Sequence, residues 1–579
     1  MTTGEPSVRA THRWQMPGPV GQDAPSGLPR LAAELLLRRG YDTAGAVAAF
    51  LEPSAARLAR PDCLPDIEPA TERIVRAVRN KERVVVCGDY DADGVTATAV
   101  LVITLRRLGV DAGWYLPHRA AEGYGFSTAG VEHARAFGAG LIVTVDCGTS
   151  DHAAAAAARA AGIDLVITDH HELRTLDAPL PEAIAVVNPH RPDAAPAFRH
   201  LAGVGVAFKV VWSVLSRLGR PREELTDLLD LVTIGTIADV VPLVDENRII
   251  ARLGLPAIRH SARPGVRALL AAARIGDRPL SARDVGFGLA PRINAAGRLS
   301  HAGRALELLL TDDPAEARAI ADELERHNRG RQSVEECVLG DALAAIEREK
   351  LAAGRTVVVA GPDWPEGIIG IVASRLVDRF WRPTIVVSMR EGVGRGSGRS
   401  IPGFDLHTAL EACAGTLERF GGHRAAAGLT VAAGRLAEFR ELFEAQAAAL
   451  PPDAFEPSLA VDAVAQIEEI DDGLLDALGR FEPFGEGNPR PVLAAFGLEV
   501  VGNPRVVGGK HLRLNVRDSG AVREAIAWNR SADLLGIHAG EPGHLDICFT
   551  PTRRTWNGRT AIQLEVRDLR TADASRQTS

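Results

Sequence analysis

The chain has 579 residues, 46% hydrophobic and 24% charged, which is ordinary globular composition but too long for one core, so roughly three or four domains are expected. A formal net charge of −8 excludes a protein drawn to nucleic acid by its overall field, and any such binding must rest on local basic surface. Six scattered cysteines without a CxxC pair exclude a zinc ribbon or disulfide scaffold, and neither a leader-like start nor an apolar run of about 20 residues is present, so a cytoplasmic protein is expected.

Residues 1–64 read as an accessory segment, with a glycine- and proline-rich start and helical patterns over 28–39 and 43–51. The hydrophobic run 83–87 then leads into Gly88-Asp89-Tyr90-Asp91-Ala92-Asp93-Gly94. Three carboxylates at alternating positions past a buried strand repel one another and raise each other's pKa. Hard divalent cations with oxygen ligands remove that repulsion; the alternative is an acidic turn exposed to water.

Two further short apolar runs come next. One, 141–145, ends at Asp146, and the other, 164–168, ends at Asp169-His170-His171. Helical patterns over 95–108, 128–137 and 151–161 separate the runs, which predicts βαβ units and a parallel sheet. Ligands of such sheets bind at the carboxyl ends of the strands. Asp89, Asp91, Asp93, Asp146, His170 and His171 all fall there. Asp239 sits in the apolar helical run 234–241, where an unpaired acid would be expensive. The α/β domain bearing these residues spans 65–260.

Residues 261–350 connect that domain to a second one. They hold Asn294 and Arg298, and 313–350 is almost uninterrupted helix former, about 50 Å long as a helix. Residues 351–450 carry a second α/β pattern: strand 356–360, helix 367–380, strand 384–389, then helices 405–420 and 436–450. Ser397 and Arg399 are read as part of a glycine-rich loop whose amides can approach an anion. From 456 to 572, short β-like runs at 493–501, 512–516, 545–550 and 561–566 suggest a small barrel. Between Arg505 and Arg570, 11 basic residues stand against 7 acidic ones, so this part is locally basic. The tail 573–579 is expected to be disordered.

Asp169-His170-His171, the 88–94 motif, Val145-Asp146-Cys147-Gly148 and the run 235–243 together resemble the DHH phosphoesterase superfamily. Within it, the chain is similar to the RecJ family of single-strand-specific exonucleases from about residue 60 to about residue 570. Further matches are 290–299, Gly396-Ser397-Gly398-Arg399-Ser400, Gly421-Gly422-His423, 482–489 and 556–559. The resemblance implies a DHH parallel-sheet domain joined by a long helix to a DHH-associated α/β domain, plus a C-terminal OB-like β-barrel. It implies 5′-to-3′ hydrolysis of single-stranded DNA to 5′-mononucleotides, in recombination and repair, with two Mn²⁺ or Mg²⁺ ions. It also implies a single-strand-binding protein and a RecQ-type helicase as partners.

Carried over residue by residue, Asp93, Asp146, His170 and Asp239 would hold one ion, and Asp91 with the shared Asp146 the second. Imidazole among the ligands tilts the preference toward Mn²⁺. His171, Arg298 and Asp89 form the catalytic group, although Asp89 could instead orient a ligand or cap the following helix. Arg119 and Asn294 would face the substrate phosphates; for Arg119 the alternative is a surface salt bridge with Glu122. Ser397 and Arg399 would hold a 5′-phosphate, and His423 would face the same cleft. Three positions depart from the family pattern. Pro365 replaces a histidine, Gly330 replaces a glutamate in the long helix, and Cys87 stands where related pyrophosphatases place a histidine ligand. Rival readings are a phosphoesterase for oligoribonucleotides or cyclic dinucleotides, which usually lacks the barrel, and a degenerate non-catalytic scaffold.

Overall fold

The computed structural model describes residues 12–20, 27–119, 122–173, 179–299, 301–530, 544–556 and 559–572. The 573–579 tail lies outside them. The chain divides into two bodies. One comprises Pro53–Ser333 with Glu482–Pro489; the other comprises the residues up to Glu52, Val334–Phe481 and everything from Arg490 on.

The first body is built on a five-stranded sheet, all parallel. Its spatial order is Ala112–Tyr115, Val84–Cys87, Leu141–Val145, Asp164–Thr168, Ala185–Val187. Val84–Cys87 and Leu141–Val145 are buried on both faces, which is why each reads as a continuous apolar run and not an alternating one. Alternate residues feed two cores. Val84, Val86, Leu141 and Val143 pack with helix Ala92–Arg107 and helix Gly203–Arg217. Val85, Cys87, Ile142 and Leu165 pack with helices Thr128–Phe137 and His152–Ala160. The strand order reverses between Val84–Cys87 and Leu141–Val145, so the loops leaving those two strands part and open a crevice at the carboxyl edge. Although late in the chain, 482–489 packs here: the Leu243 N–H donates to Glu486 O at 2.7 Å, and a β-carbon on Gly487 would stand 2.9 Å from Pro242 Cβ.

The second body holds a five-stranded sheet and a barrel. The sheet runs Arg419–Gly422, Ala426–Ala432, Val393–Arg399, Thr384–Arg390, Val357–Pro362; only the last pair is parallel. The barrel is made from Leu493–Val507, His511–Asp518, Ala521–Ala527, His544–Trp556 and Arg559–Thr571. It closes where Leu493–Val507 pairs with His544–Trp556. Strand Arg13–Gln15 pairs in parallel with Ser458–Ala460. Trp14 is buried against Val461, Ala494 and Cys548 of the barrel region, and its indole N–H donates to Asp568 at 2.8 Å.

Two local expectations are corrected. Residues 405–420 are not one helix: Leu406–Ala412 is helical, with Asp405 capping the Thr408 N–H, and the chain then turns at 414–416 into strand Arg419–Gly422. Ser397 and Arg399 lie in strand Val393–Arg399, not in a loop. The segment Val393-Gly394-Arg395-Gly396-Ser397-Gly398-Arg399 alternates with period two. Its glycines press on neighbouring strands: a β-carbon on Gly394 would stand 2.7 Å from both Met389 Sδ and Val387 Cγ1. The long helix is found as Pro314–Arg348, continuous through Gly330. Among the described residues, no helix is long and apolar enough to cross a membrane.

Candidate metal centre

The 88–94 loop folds back tightly on the helix it precedes. A β-carbon on Gly88 would stand 2.0 Å from Thr98 Oγ1, and one on Gly94 would stand 2.5 Å from Asp89 O, so neither position admits a side chain. Asp91 caps helix Ala92–Arg107, its Oδ1 accepting from the N–H groups of Asp93 (2.9 Å) and Gly94 (3.1 Å). Asp93 is buried, and its carboxylate meets the start of helix Gly203–Arg217, accepting from Gly203 N (2.6 Å) and Val204 N (2.9 Å). Asp146 leaves strand Leu141–Val145 with φ 61°. Its side chain lies so close to Gly203 that a β-carbon there would stand 2.5 Å from Oδ1. Asp239 ends helix Leu229–Ala238 as its C-cap. That is the wrong helix end for an anion unless a cation compensates it.

These groups converge on His170. Its Nε2 lies 3.1 Å from Asp146 Oδ1, 3.6 Å from Asp239 Oδ2 and 3.8 Å from Asp93 Oδ2. His170 Nδ1 lies 3.1 Å from the Leu201 carbonyl; donating its proton there turns Nε2 toward the acids, where it can serve as a metal ligand once deprotonated. Asp93, His170 and Asp239 offer ligand atoms within 4.8 Å of one another, as do Asp89, Asp91 and Asp146, and also Asp146, His170 and His171. Asp146 therefore bridges the acidic loop and the histidines. His170 Nε2, Asp146 Oδ1 and Asp89 Oδ1 are buried with no hydrogen-bond partner.

Buried polar atoms without partners are rare and need a reason. Burial, then Asp93, Asp91 and Asp239, drive the Asp146 carboxyl well above its ordinary range. Asp89 is pushed up to about 8 by burial and by Asp91, and Asp239 to about 8 by burial and by Asp93. Burial pulls the His170 imidazole down, but Asp93 and Asp239 outweigh it and raise it. Acids held this close, with one imidazole nitrogen turned toward them, fit divalent cations of the Mg²⁺ and Mn²⁺ class.

His171 is held from both sides. The buried Asp169 lies 2.8 Å from its Nδ1 and also accepts from the N–H groups of Thr149, His170 and His171. Burial alone would raise the Asp169 carboxyl, but His171 and these amides hold it well below the usual range. The Tyr124 hydroxyl approaches both ring nitrogens of His171, at 2.7 and 3.0 Å. Arg119 stacks its guanidinium over Tyr90, 5.0 Å from the ring centroid. The surface pair with Glu122 is not formed: that carboxylate is taken by the Tyr115 hydroxyl, Ser127 Oγ and the His118 N–H. Asn294 Oδ1 accepts from the Ala92 N–H at 2.7 Å, which ties helix Ala290–Leu299 to the acidic loop. Arg298, in the last turn of that helix, is close enough to bias the Tyr90 hydroxyl, as Arg119 is.

In the second body, Arg399 Nη1 lies 2.8 Å from Gly398 O and 3.3 Å from Ser397 Oγ. Both side chains sit under the first turns of helix Glu366–Phe380. A β-carbon on Gly370 would stand 2.9 Å from Ser397 Oγ and 3.2 Å from Arg399 Nη2. His423 is exposed in the turn between Arg419–Gly422 and Ala426–Ala432, its N–H bonded to Ala426 O at 2.8 Å.

Three family models match the chain: the DHH family N-terminal domain over residues 83–236, the DHHA1 domain over 354–449, and the RecJ OB domain over 461–568. The single-stranded-DNA-specific exonuclease RecJ of Bacillus subtilis is 37% identical over 569 residues, covering 96% of this chain and 70% of that one. The Escherichia coli protein of the same name is 37% identical over 533 residues, with 88% and 90% covered. The chain belongs to the RecJ family. A solved RecJ structure from Thermus thermophilus, in complex with Mn²⁺, superposes with a TM-score of 0.81 at 32% identity, covering 97% of this chain and 80% of that one. RecJ from the same organism solved with Mg²⁺ gives 0.73 at 30% identity, with 97% and 79% covered.

Against the RecJ family pattern, two departures now have a local account. Cys87 is a buried strand residue whose thiol is pushed up by burial, and it belongs to none of the three acid and histidine groups described above. Pro365 sits just before helix Glu366–Phe380 as its N-cap residue, with extended backbone. Asp169 and Tyr124 were not singled out from the sequence. Asp169 lies inside a recognised motif, but a positioning role depends on where a side chain points, and the motif alone does not say.

Proposed function

We propose that the chain is a metal-dependent exonuclease hydrolysing single-stranded DNA from the 5′ end to 5′-mononucleotides, in recombination and repair. One observation carries the reading: in a chain of this family, buried and half-buried carboxylates close on an imidazole nitrogen that has no other partner. Asp93, Asp146, His170 and Asp239 would hold one divalent ion, and Asp91 with Asp146 the other, with Asp89 nearby. Mn²⁺ or Mg²⁺ bound there would supply Lewis acidity and neutralise charge on the substrate phosphate.

The protein's own groups do the rest. Asp169 fixes the His171 ring through Nδ1, and Nε2, with the Tyr124 hydroxyl 3.0 Å away, meets the scissile phosphate beside that hydroxyl. Arg119 and Arg298 bind nonbridging oxygens as bidentate donors. Asn294 acts on the substrate through the loop it caps. Ser397 and Arg399 hold the 5′-terminal phosphate, with His423 a further contact in the same domain. The locally basic barrel tracks the strand. A single-strand-binding protein and a RecQ-type helicase are proposed as partners, a reading suggested by family likeness alone.

The test is digestion of 5′-labelled single strand, duplex and oligoribonucleotide with Mn²⁺. Stepwise release of mononucleotides from single-stranded DNA alone is expected. Preference for the oligoribonucleotide, or no hydrolysis at all, would overturn the reading.

A second outcome tests direction. Arg399→Ala should slow digestion of 5′-phosphorylated strands about tenfold to a hundredfold, the worth of one to two charge-assisted hydrogen bonds. Strands with a 5′-hydroxyl should be slowed much less, so the two substrates become nearly equivalent. Equal slowing of both would mean that Arg399 acts on general binding and not at the 5′ end.

A further inference from the structure

Phe287 and Val240 are the two most exposed large apolar side chains among the described residues, at 76% and 66%. Singly exposed apolar residues are common and need no explanation. These two lie on segments that pack together beside the metal-binding acids. Val240 directly follows Asp239 and takes φ 62°, a strained value for a β-branched residue. A β-carbon on Gly286 would stand 3.8 Å from Ile237 Cγ2, in the last turn before Asp239.

Phe287 stands in a π-helical turn, Val285–Leu289, that runs directly into helix Ala290–Leu299. Such turns widen a helix locally and recur at functional sites. Pro291, Asn294 and Arg298 recur at spacings of three and four on helix Ala290–Leu299, so they mark one face, and the π turn carries Phe287 into the start of that helix. On that face Asn294 touches the acidic loop and Arg298 lies near Tyr90. From 298 back to 287 the helix extends about 16 Å. With a rise of about 3.4 Å per stacked nucleotide, that distance follows a strand for a few nucleotides.

Arg283, one turn earlier, places its guanidinium carbon 5.3 Å from the centre of the Phe287 ring. Among the described residues, no carboxylate pairs with Arg283. A solvent-facing ring beside an uncompensated guanidinium suits one nucleotide of a flexible strand: the ring stacks on the base and the cation meets the phosphate.

We infer that Phe287, with Arg283, is a base-stacking platform that holds the DNA strand a few nucleotides from the scissile bond, with Val240 as the apolar lip between platform and metal centre. The inference rests on the exonuclease reading above and adds to it a specificity-determining residue for strands with unpaired, accessible bases.

The experiment uses the full chain with Mn²⁺. Phe287→Ala should raise KM on a long single strand about tenfold, with a smaller change in kcat, because base–aromatic stacking is worth about 1–3 kcal/mol. The advantage of the long strand over a trinucleotide should shrink by a similar factor. Phe287→Tyr, which keeps an aromatic face, should restore the wild-type KM and so separates stacking from a folding defect. In wild type with Ca²⁺ to slow hydrolysis, 2-aminopurine scanned along the strand should be quenched most at one position, and Phe287→Ala should abolish that quenching. A strand abasic at that position should bind both proteins equally weakly. Wild-type KM and an unchanged quenching profile in Phe287→Ala would overturn the platform while leaving the exonuclease reading intact. An inactive wild-type chain would instead sink the exonuclease reading itself.

Discussion

Asp146→Asn should abolish hydrolysis, lowering the single-turnover rate on the order of 10³-fold or more, while leaving the fold in place. Asp146 offers a ligand atom both to the Asp89 and Asp91 pair and to the histidines, and its Oδ1 is the oxygen nearest His170 Nε2, at 3.1 Å. Replacing one oxygen by an amide should remove a shared ligand and with it both ions. Asparagine is the right probe because the backbone is left-handed here, with φ 61°, and asparagine accepts that region more readily than alanine. Asp89→Asn should behave differently. Asp89 lies in one group only, so a fall of about tenfold to a hundredfold with partial Mn²⁺ binding is expected. Equilibrium dialysis with Mn²⁺ beside rapid-quench kinetics checks both. An Asp146→Asn protein that binds two ions and cleaves at the wild-type rate would sink the shared-ligand assignment.

The residues that make up this centre were legible because each sits at a place where sequence pattern and chemistry coincide. A strand buried on both faces reads as an apolar run, and an acid at its end has little structural use. That logic reached Asp91, Asp93, Asp146 and His170, and the structure brings them together with Asp239. It did not reach Asp169, whose contribution depends on four donors converging on one carboxylate.

The same physics explains what was misread in the second body. Gly394, Gly396 and Gly398 look like a loop by composition, yet a side chain has no room there: residues of strands Thr384–Arg390 and Ala426–Ala432 close on Gly394 and Gly396, and Leu406 with Ile385 closes on Gly398. Ala521–Ala527 was passed over because its alanines and charged residues lack the β-branched bulk that marks a strand; its partners on both sides supply the pairing. The pairing of Arg13–Gln15 with Ser458–Ala460 spans most of the chain and left no local signal at either end.

Metal removal should make the protein's stability fall as pH rises, and Mn²⁺ should abolish that fall. In the unfolded chain, aspartates lose their protons near pH 4. In the folded, metal-free site, burial and neighbouring acids hold Asp89 and Asp239 at about 8, and raise Asp93 and Asp146 as well. Their folded pKa values exceed the unfolded ones, so between about pH 4 and pH 8 the folded state keeps protons that the unfolded state has shed. The contribution of these groups is full below the unfolded value and is lost as pH rises through the folded one. The raised His170 imidazole acts in the same direction. Each group costs up to about 1.4 kcal/mol per pH unit across that window, and coupling among the acids makes the total less than the sum. A divalent ion replaces the protons, so ligand stabilisation should grow with pH. Thermal melts in EDTA and in Mn²⁺, taken from pH 5 to pH 9, isolate the site, because titration elsewhere cancels in the difference between the two curves. The Mn²⁺-minus-EDTA gap in Tm should widen steadily up to about pH 8 and then level off, and Asp239→Asn should narrow it. A gap that stays constant across the range would mean that the acids do not hold protons in the metal-free fold, and the electrostatic account of the centre would fail.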